Sequence, residues 1–142
     1  MGIKVTGINH IGIASKDPEK TKEFFDLILG LPFVNEETVE EQKTATIIFE
    51  SCVKGAQEGV SKLEILKPTS EDSPVAKYLD KKGGGIHHLA LTVENVEEAI
   101  AFMLENGVKM VDQHPRDGVC QTKIAFVHPA STGGILVELV EN

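Results

Sequence analysis

The first strand of the chain is predicted by a strict alternation of side chains over residues 8–14. Ile11 and Ile13 point to one side of an extended backbone, whereas His10 points to the other side together with small residues. Successive side chains of a strand project to opposite faces of a sheet. The pattern therefore predicts one apolar face and one face of small residues around a histidine.

A helix is predicted directly after this strand. Asp17 is a typical N-cap residue, Pro18 suits the first helical position, and Gly30 marks the end. Short apolar or alternating segments then predict three strands, over residues 31–33, 44–49 and 62–66, with a loop at 51–61. Together these elements make a βαβββ unit.

The second half of the chain repeats this order of elements. His88 follows His10 by 78 residues, and Asn95 follows Asp17 by the same interval as the next predicted N-cap. A sustained offset of this kind indicates an internal duplication. The second copy is predicted to contain strands over residues 85–93, 108–111, 122–127 and 135–140 and a helix that ends at Gly107.

A short helix is predicted between the two copies, capped by Ser73 and ending at Lys82. The glycine run at 83–85 is expected to be a connector, because it precedes a strand and lacks the lysine arrangement of a phosphate-binding loop. We expect a single domain over residues 1–142, with module 1 at about 5–67, the linker helix at 73–82 and module 2 at about 85–141. The predicted fold class is α+β, with two tandem βαβββ modules forming a curved, partly closed mixed sheet around a metal-centred cleft and helices outside.

Composition and charge narrow the range of functions. With 41% hydrophobic and 25% charged residues over 142 positions, the chain has the composition of an ordinary globular protein. A net charge of −8 argues against nucleic acid as a partner and requires a local positive charge for any anionic substrate. The absence of an apolar run of 18 residues predicts no membrane partner. Two cysteines without a CxxC motif favour reduced thiols and a cytoplasmic protein.

Two histidines and two glutamates, one of each per copy, are the candidate metal ligands. Each copy ends on an apolar strand with a single acid, Glu64 or Glu138, and a buried carboxylate is costly unless it is paired or bound to metal. Side-chain alternation selects His88, and not His87, as the counterpart of His10. Two imidazoles and two carboxylates suit one divalent Co, Mn, Ni or Zn ion and leave a position for water or substrate.

Other residues of these types have simpler interpretations. A lone strand histidine is usually a core or edge residue, so the metal hypothesis depends on the repeated register. His87 is expected to face the helix layer or solvent, and His114 and His128, beside prolines, are expected at the surface or at a substrate rim. The acid pairs at 36–37 and 40–41 are expected to form a solvated loop.

Three segments resemble the vicinal oxygen chelate superfamily, which includes glyoxalase, bleomycin resistance and dioxygenase proteins, and within it the methylmalonyl-CoA epimerase family. They are SPVAKYL at 73–79, GIHHLAL at 85–91 and HPASTGGILVEL at 128–139. The resemblance implies an isomerase that inverts C2 of an acyl-CoA thioester, methylmalonyl-CoA, by metal-assisted proton abstraction through an enediolate. It also implies a homodimer.

The resemblance carries over to individual residues. His10, Glu64, His88 and Glu138 fall on the metal-ligand positions of the family, and Glu138 is also the implied catalytic base. Some members have a second acid or base where this chain has Thr46, whose hydroxyl cannot do that work. Glu50, a loop acid or a metal-bound water is expected to substitute.

Two other classes of function stay as alternatives. One is a glyoxalase I-type lactoylglutathione lyase, or another metal-dependent enzyme of the superfamily, because glyoxalase I has similar histidine and acid ligands. The other is a non-catalytic small-molecule-binding module. Such modules typically line their cleft with aromatic residues, and this chain has no Trp, one Tyr and six Phe.

Overall fold

The computed structural model describes residues 3–51 and 61–142, so Cys52 and most of the predicted loop at 51–61 lie outside the described residues. The described chain forms two compact units, which we call the N-unit (residues 10–87) and the C-unit (residues 1–9 and 88–142). Among the described residues, no helix has the length and apolar character that crossing a bilayer requires. The strands and α-helices, in chain order, are β1 Val5–Ala14, α1 Pro18–Glu23, β2 Phe33–Val39, β3 Thr44–Glu50, β4 Lys62–Pro68, α2 Pro74–Lys82, β5 Gly85–Val93, α3 Val96–Glu105, β6 Arg116–Asp117, β7 Lys123–Val127 and β8 Val137–Glu141.

The sheet of the N-unit has the strand order β2-β3-β4-β1. β1 and β4 run parallel, whereas β2, β3 and β4 form an antiparallel meander. Ile47, Phe49 and Ile65 are fully buried on one face, and Phe25, from the helical segment after β1, packs its ring against Phe49 at 5.8 Å. This apolar face therefore anchors the helical segment that follows β1.

The sheet of the C-unit repeats that arrangement in the order β1-β5-β8-β7-β6, to which β1 contributes residues 5–9. β5 and β8 run parallel, and β6, β7 and β8 form the antiparallel meander. α3 buries its apolar stripe against this sheet, including Val96, Ala99 and Ile100. The α+β class with two βαβββ modules is thus confirmed, whereas the single-domain boundaries stay a prediction.

The predicted helix caps form at equivalent places in the two copies. The backbone N–H of Lys20 donates to the Asp17 carboxylate at 3.1 Å, and that of Glu98 donates to the Asn95 side chain at 2.9 Å. In both helices the donor is the third helical residue. Each cap satisfies one of the N–H groups that a helix start leaves without a partner. The duplication therefore extends to local backbone structure.

The glycine run is a connector, as predicted. α2 ends where Gly83 adopts a left-handed conformation, with φ of 80°. At Gly84, with φ of 110°, an added Cβ would lie 3.1 Å from the Ala14 carbonyl oxygen. Only glycine combines this conformation with such a close approach of two backbones.

The strand predicted at 31–33 is longer and later than expected. β2 spans Phe33–Val39 and pairs with β3, so the prediction of a solvated loop at 36–37 is wrong. Glu36 and Glu37 belong to an edge strand, where charged side chains are common because they oppose pairing with other chains. The second acid pair, at 40–41, lies in a short helical turn after β2.

The strand predicted at 108–111 is reduced to a single bridge between Met110 and Val127. Pairing stops there because the Asp112 side chain accepts the backbone N–H of Phe126 at 2.8 Å, in place of a strand carbonyl. The chain then returns to the sheet edge at β6, a strand absent from the sequence prediction.

We expect Ile65→Ala to lower the free energy of unfolding by about 2–5 kcal/mol, because Ile65 is fully buried and the substitution leaves a cavity. Ile135→Ala is the matched control, since Ile135 is 55% exposed in a loop and should change stability by less than about 0.5 kcal/mol. Chemical denaturation measures both. Equal losses in the two variants would contradict the described core.

Candidate metal centre

The N-unit holds the first predicted pair, His10 on β1 and Glu64 on β4. Gly12 lies directly opposite Glu64 in the parallel ladder, and His10 is on the same face two residues earlier. The imidazole and the carboxylate are therefore diagonal neighbours, with His10 Nδ1 3.3 Å from Glu64 Oε2. Each residue is only 3% exposed.

The C-unit holds the second pair in the same register. Ala90 lies opposite Glu138, and His88 precedes Ala90 by two residues. His88 Nε2 is 3.0 Å from Glu138 Oε2, and each residue is 5% exposed. In both units the residue opposite the glutamate on the adjacent parallel strand is small, glycine or alanine. This leaves room for the carboxylate to lean across toward the histidine.

The two pairs satisfy the chemical requirements of divalent-metal ligands. Two donors at about 2.1 Å from one ion, at angles of about 90–109°, lie about 3.0–3.4 Å apart. The observed separations of 3.3 Å and 3.0 Å fall in that range. Burial also explains the pairing, because a carboxylate removed from water is costly without a partner charge or a metal. The structure thus brings His10 to Glu64 and His88 to Glu138; their convergence on one ion stays a prediction.

Thr46, at the position where some family members have a second acid or base, is buried in the N-unit. Thr46 is 3% exposed and lies on the same face of β3 as Ile48, which is opposite Glu64. We call this face, which also carries His10, the ligand face of the N-unit. Thr46 offers it a hydroxyl and no carboxylate.

Two carboxylates lie on the ligand face near Thr46. Glu50 is in register with Lys62, which is in turn in register with His10. Glu37, on β2, lies directly opposite Thr46 and is half-buried. Glu50 was predicted by name, whereas Glu37 was expected only among the loop acids, because its acidic neighbours resemble a loop. Alternation along β2 is the signal that separates Glu37 from Glu36.

The remaining histidines have structural roles or are exposed. His87 packs edge-on against Tyr78 of α2 at 4.8 Å, which confirms the expected helix-facing orientation. His128 Nδ1 accepts the backbone N–H of Ala130 at 3.0 Å and so caps a short helical turn. His114 is exposed. The structure therefore singles out one histidine per unit as a buried partner of glutamate.

Lys67 is a cation on the sheet face of the N-unit that lies opposite the ligand face, and it forms ion pairs there. The pKa of Lys67 is raised above its usual value. Partial burial acts to lower this pKa, but hydrogen bonds and charge attraction from Glu36 and Glu19 outweigh the effect of burial. Its Nζ lies 3.3 Å from Glu36 and 3.4 Å from Glu19. Because Lys67 is opposite Ala45, it lies away from the ligand face. This lysine is committed to the helix side of the sheet.

We expect double-mutant cycles to detect both buried pairs in metal-free protein. The cycles for His10–Glu64 and His88–Glu138 should each give a coupling energy of about 0.5–3 kcal/mol, because the partners touch in a buried setting. The exposed Lys4–Glu94 pair, with side chains 72% and 61% exposed, is the matched control and should give less than about 1 kcal/mol. Denaturation with chelator present measures all three. A buried pair no stronger than the control would contradict the described contacts.

Comparison with known proteins places this geometry in a family. The model of the Glyoxalase/Bleomycin resistance protein/Dioxygenase superfamily matches residues 9–126. The chain is 40% identical to the uncharacterized protein YqjC of Bacillus subtilis, over 94% of this chain and 91% of that protein. It is 32% identical to the ethylmalonyl-CoA/methylmalonyl-CoA epimerase of Cereibacter sphaeroides, over 93% of this chain and 95% of that enzyme.

Solved structures agree with this assignment. A variant of Streptomyces coelicolor methylmalonyl-CoA epimerase in complex with 2-nitronate-propionyl-CoA is similar with a TM-score of 0.90 and 36% identity, covering 98% of this chain and 96% of that one. A methylmalonyl-CoA epimerase in complex with methylmalonyl-CoA and NH4+ is similar with a TM-score of 0.89, at the same identity and coverage. The chain therefore belongs to the glyoxalase/bleomycin resistance protein/dioxygenase superfamily and, within it, to the methylmalonyl-CoA epimerase family.

Proposed function

We propose that this protein is a metal-dependent epimerase that inverts C2 of methylmalonyl-CoA. The observation that supports it most is the pair of buried His–Glu contacts in identical register in the two units. Relatives named as methylmalonyl-CoA epimerases, and similar structures with CoA esters bound, support the substrate class. The acyl-CoA thioester is the proposed partner.

We propose that His10, Glu64, His88 and Glu138 together hold one divalent ion, Co, Mn, Ni or Zn. Imidazole nitrogens and carboxylate oxygens are the donors that these ions accept. Such an ion, when bound, stabilises the negative charge that develops when the C2 proton leaves the substrate.

The residues of the chain supply the proton transfers. C2 of methylmalonyl-CoA is acidified by the thioester on one side and the carboxylate on the other. In our proposal the Glu138 carboxylate takes the proton from one face of C2, and a second group returns a proton to the opposite face. Either Glu50 or Glu37 is the proposed second group, since both lie on the ligand face of the N-unit. Thr46 has no carboxylate.

We expect metal analysis to find one ion per chain and C2-proton exchange with solvent deuterium to depend on it. Glu138→Gln should abolish exchange while retaining part of the metal, because the amide keeps an oxygen donor but cannot accept the proton. His10→Ala and His88→Ala should each lose most of the metal. Lys4→Met, which removes an exposed cation, is the control.

Several outcomes would contradict this proposal. Two ions per chain, each lost separately in His10→Ala and His88→Ala, would exclude a shared site. Wild-type protein with metal but without C2 exchange would exclude the epimerase. In that case, isomerisation of methylglyoxal hemithioacetal would indicate a glyoxalase, and absence of both reactions would indicate a binding module.

We also propose a cytoplasmic homodimer. The helical segment after β1 exposes Phe24, Leu27, Ile28 and Leu29 by 48%, 71%, 71% and 51%. An apolar cluster of this kind is typical of an association surface. Leu27→Glu should shift the mass measured by light scattering from dimer to monomer, whereas Ile135→Glu should leave it unchanged. A monomeric wild type would contradict the dimer.

A further inference from the structure

Arg116 lies on the sheet face that carries the second His–Glu pair. Phe126 is directly opposite Glu138, and Arg116 on β6 is directly opposite Ile124, two residues before Phe126. Since side chains two residues apart share a face, Arg116, Phe126 and Glu138 project to the same side. We call this side the ligand face of the C-unit.

One aromatic ring links the guanidinium to the histidine of that pair. The Arg116 guanidinium carbon lies 5.8 Å from the centroid of the Phe126 ring. The same ring packs edge-on against the His88 imidazole, with centroids 5.6 Å apart and planes at 86°. Arg116 therefore sits beside the proposed reacting centre, close to a proposed metal ligand.

Asp112 orients the Arg116 guanidinium through its Nε atom. Nε of Arg116 lies 3.0 Å from an oxygen of Asp112, but this contact lacks hydrogen-bond geometry, and among the described residues the buried Nε has no hydrogen-bond partner. The ion pair is thus held by charge attraction at Nε. The two terminal amino groups of the guanidinium lie on the side away from the Arg116 side-chain methylenes. The Arg116 side chain is 33% exposed.

The choice of residue is informative. Arg116 is the only arginine among fourteen lysines and arginines in a chain of net charge −8. A guanidinium presents paired donors that match the two oxygens of a carboxylate, which the single ammonium of lysine does not. A cation at this position also counters the repulsion that the acidic chain exerts on an anionic substrate.

The internal repeat makes Arg116 the counterpart of Glu37. In the N-unit, Glu37 is opposite Thr46, which precedes by two residues the position opposite Glu64. Arg116 has the same relation to Glu138 through Ile124. The two units therefore keep identical ligand pairs but carry opposite charges at this outer position. Opposite charges at equivalent positions allow the two ligand faces to contact different groups of an asymmetric substrate.

We propose that Arg116 binds the free carboxylate of the acyl group and so determines specificity for dicarboxylic acyl-CoA thioesters. The inference rests on the proposed epimerase function and deepens it. The acyl carboxylate is favoured over the CoA phosphates because the guanidinium shares a ring contact with His88.

The test compares two ligands that differ only in the carboxylate. Isothermal calorimetry on metal-loaded protein measures methylmalonyl-CoA and propionyl-CoA binding to wild type, Arg116→Met and Arg116→Lys. Arg116→Met should weaken methylmalonyl-CoA binding by about 10–100-fold, the usual effect of losing a charged hydrogen-bond donor, and propionyl-CoA binding by less than about 2-fold. Arg116→Lys should give an intermediate loss, and Lys4→Met none.

The kinetic counterpart is a rise in the KM for C2 exchange in Arg116→Met with a smaller change in kcat. Equal weakening of both ligands, or no weakening of either, would overturn the role of Arg116. So would a wild type that does not prefer methylmalonyl-CoA over propionyl-CoA. If Arg116→Met does not fold, Arg116→Gln replaces it, with metal content and circular dichroism as checks.

Failure of the proposed function has a different signature. It appears as absence of C2 exchange in wild-type protein, whatever the Arg116 variants do. The binding measurements still decide the role of Arg116 in that case, because they need no turnover.

Discussion

The structure depends on placing a carboxylate inside each β-sheet without leaving its charge unpaired. Glu64 and Glu138 are 3% and 5% exposed, and burial at that level is unfavourable for an isolated carboxylate. In both units the solution is an imidazole on the adjacent parallel strand, placed diagonally. The parallel pairing of the first and last strands of each unit, and the small residue opposite each glutamate on that parallel strand, make this placement possible.

The duplication explains why the two solutions match. Each unit builds the same helix cap, the same parallel ladder and the same three-stranded meander. A βαβββ unit covers one face of its sheet with its own helix, and the His–Glu pair lies on the other face. Repeating the unit therefore duplicates the ligand pair, because the histidine and the glutamate lie on the paired parallel strands of each unit.

The two units differ at the edge strands, where the ladder constrains side chains least. β2 and β6 carry Glu37 and Arg116 at corresponding positions, so one ligand face gains a carboxylate and the other a guanidinium. Edge positions tolerate charge because one side of the strand has no partner strand. Divergence there changes the chemistry of a face while the buried pair beside it stays the same.

Sequence alone determined a large part of this protein. Local rules predicted the caps at Asp17 and Asn95, the connector at Gly83 and the alternation that selects His10 and His88, because these features depend on neighbours a few residues away. Only the tertiary structure decided what depends on pairing between distant segments. It put Glu37 and Glu36 in an edge strand, it ended the strand at Met110 through the Asp112 side chain, and it placed Arg116 against Phe126. Register between strands brings together residues far apart in the chain, and no local pattern records that register.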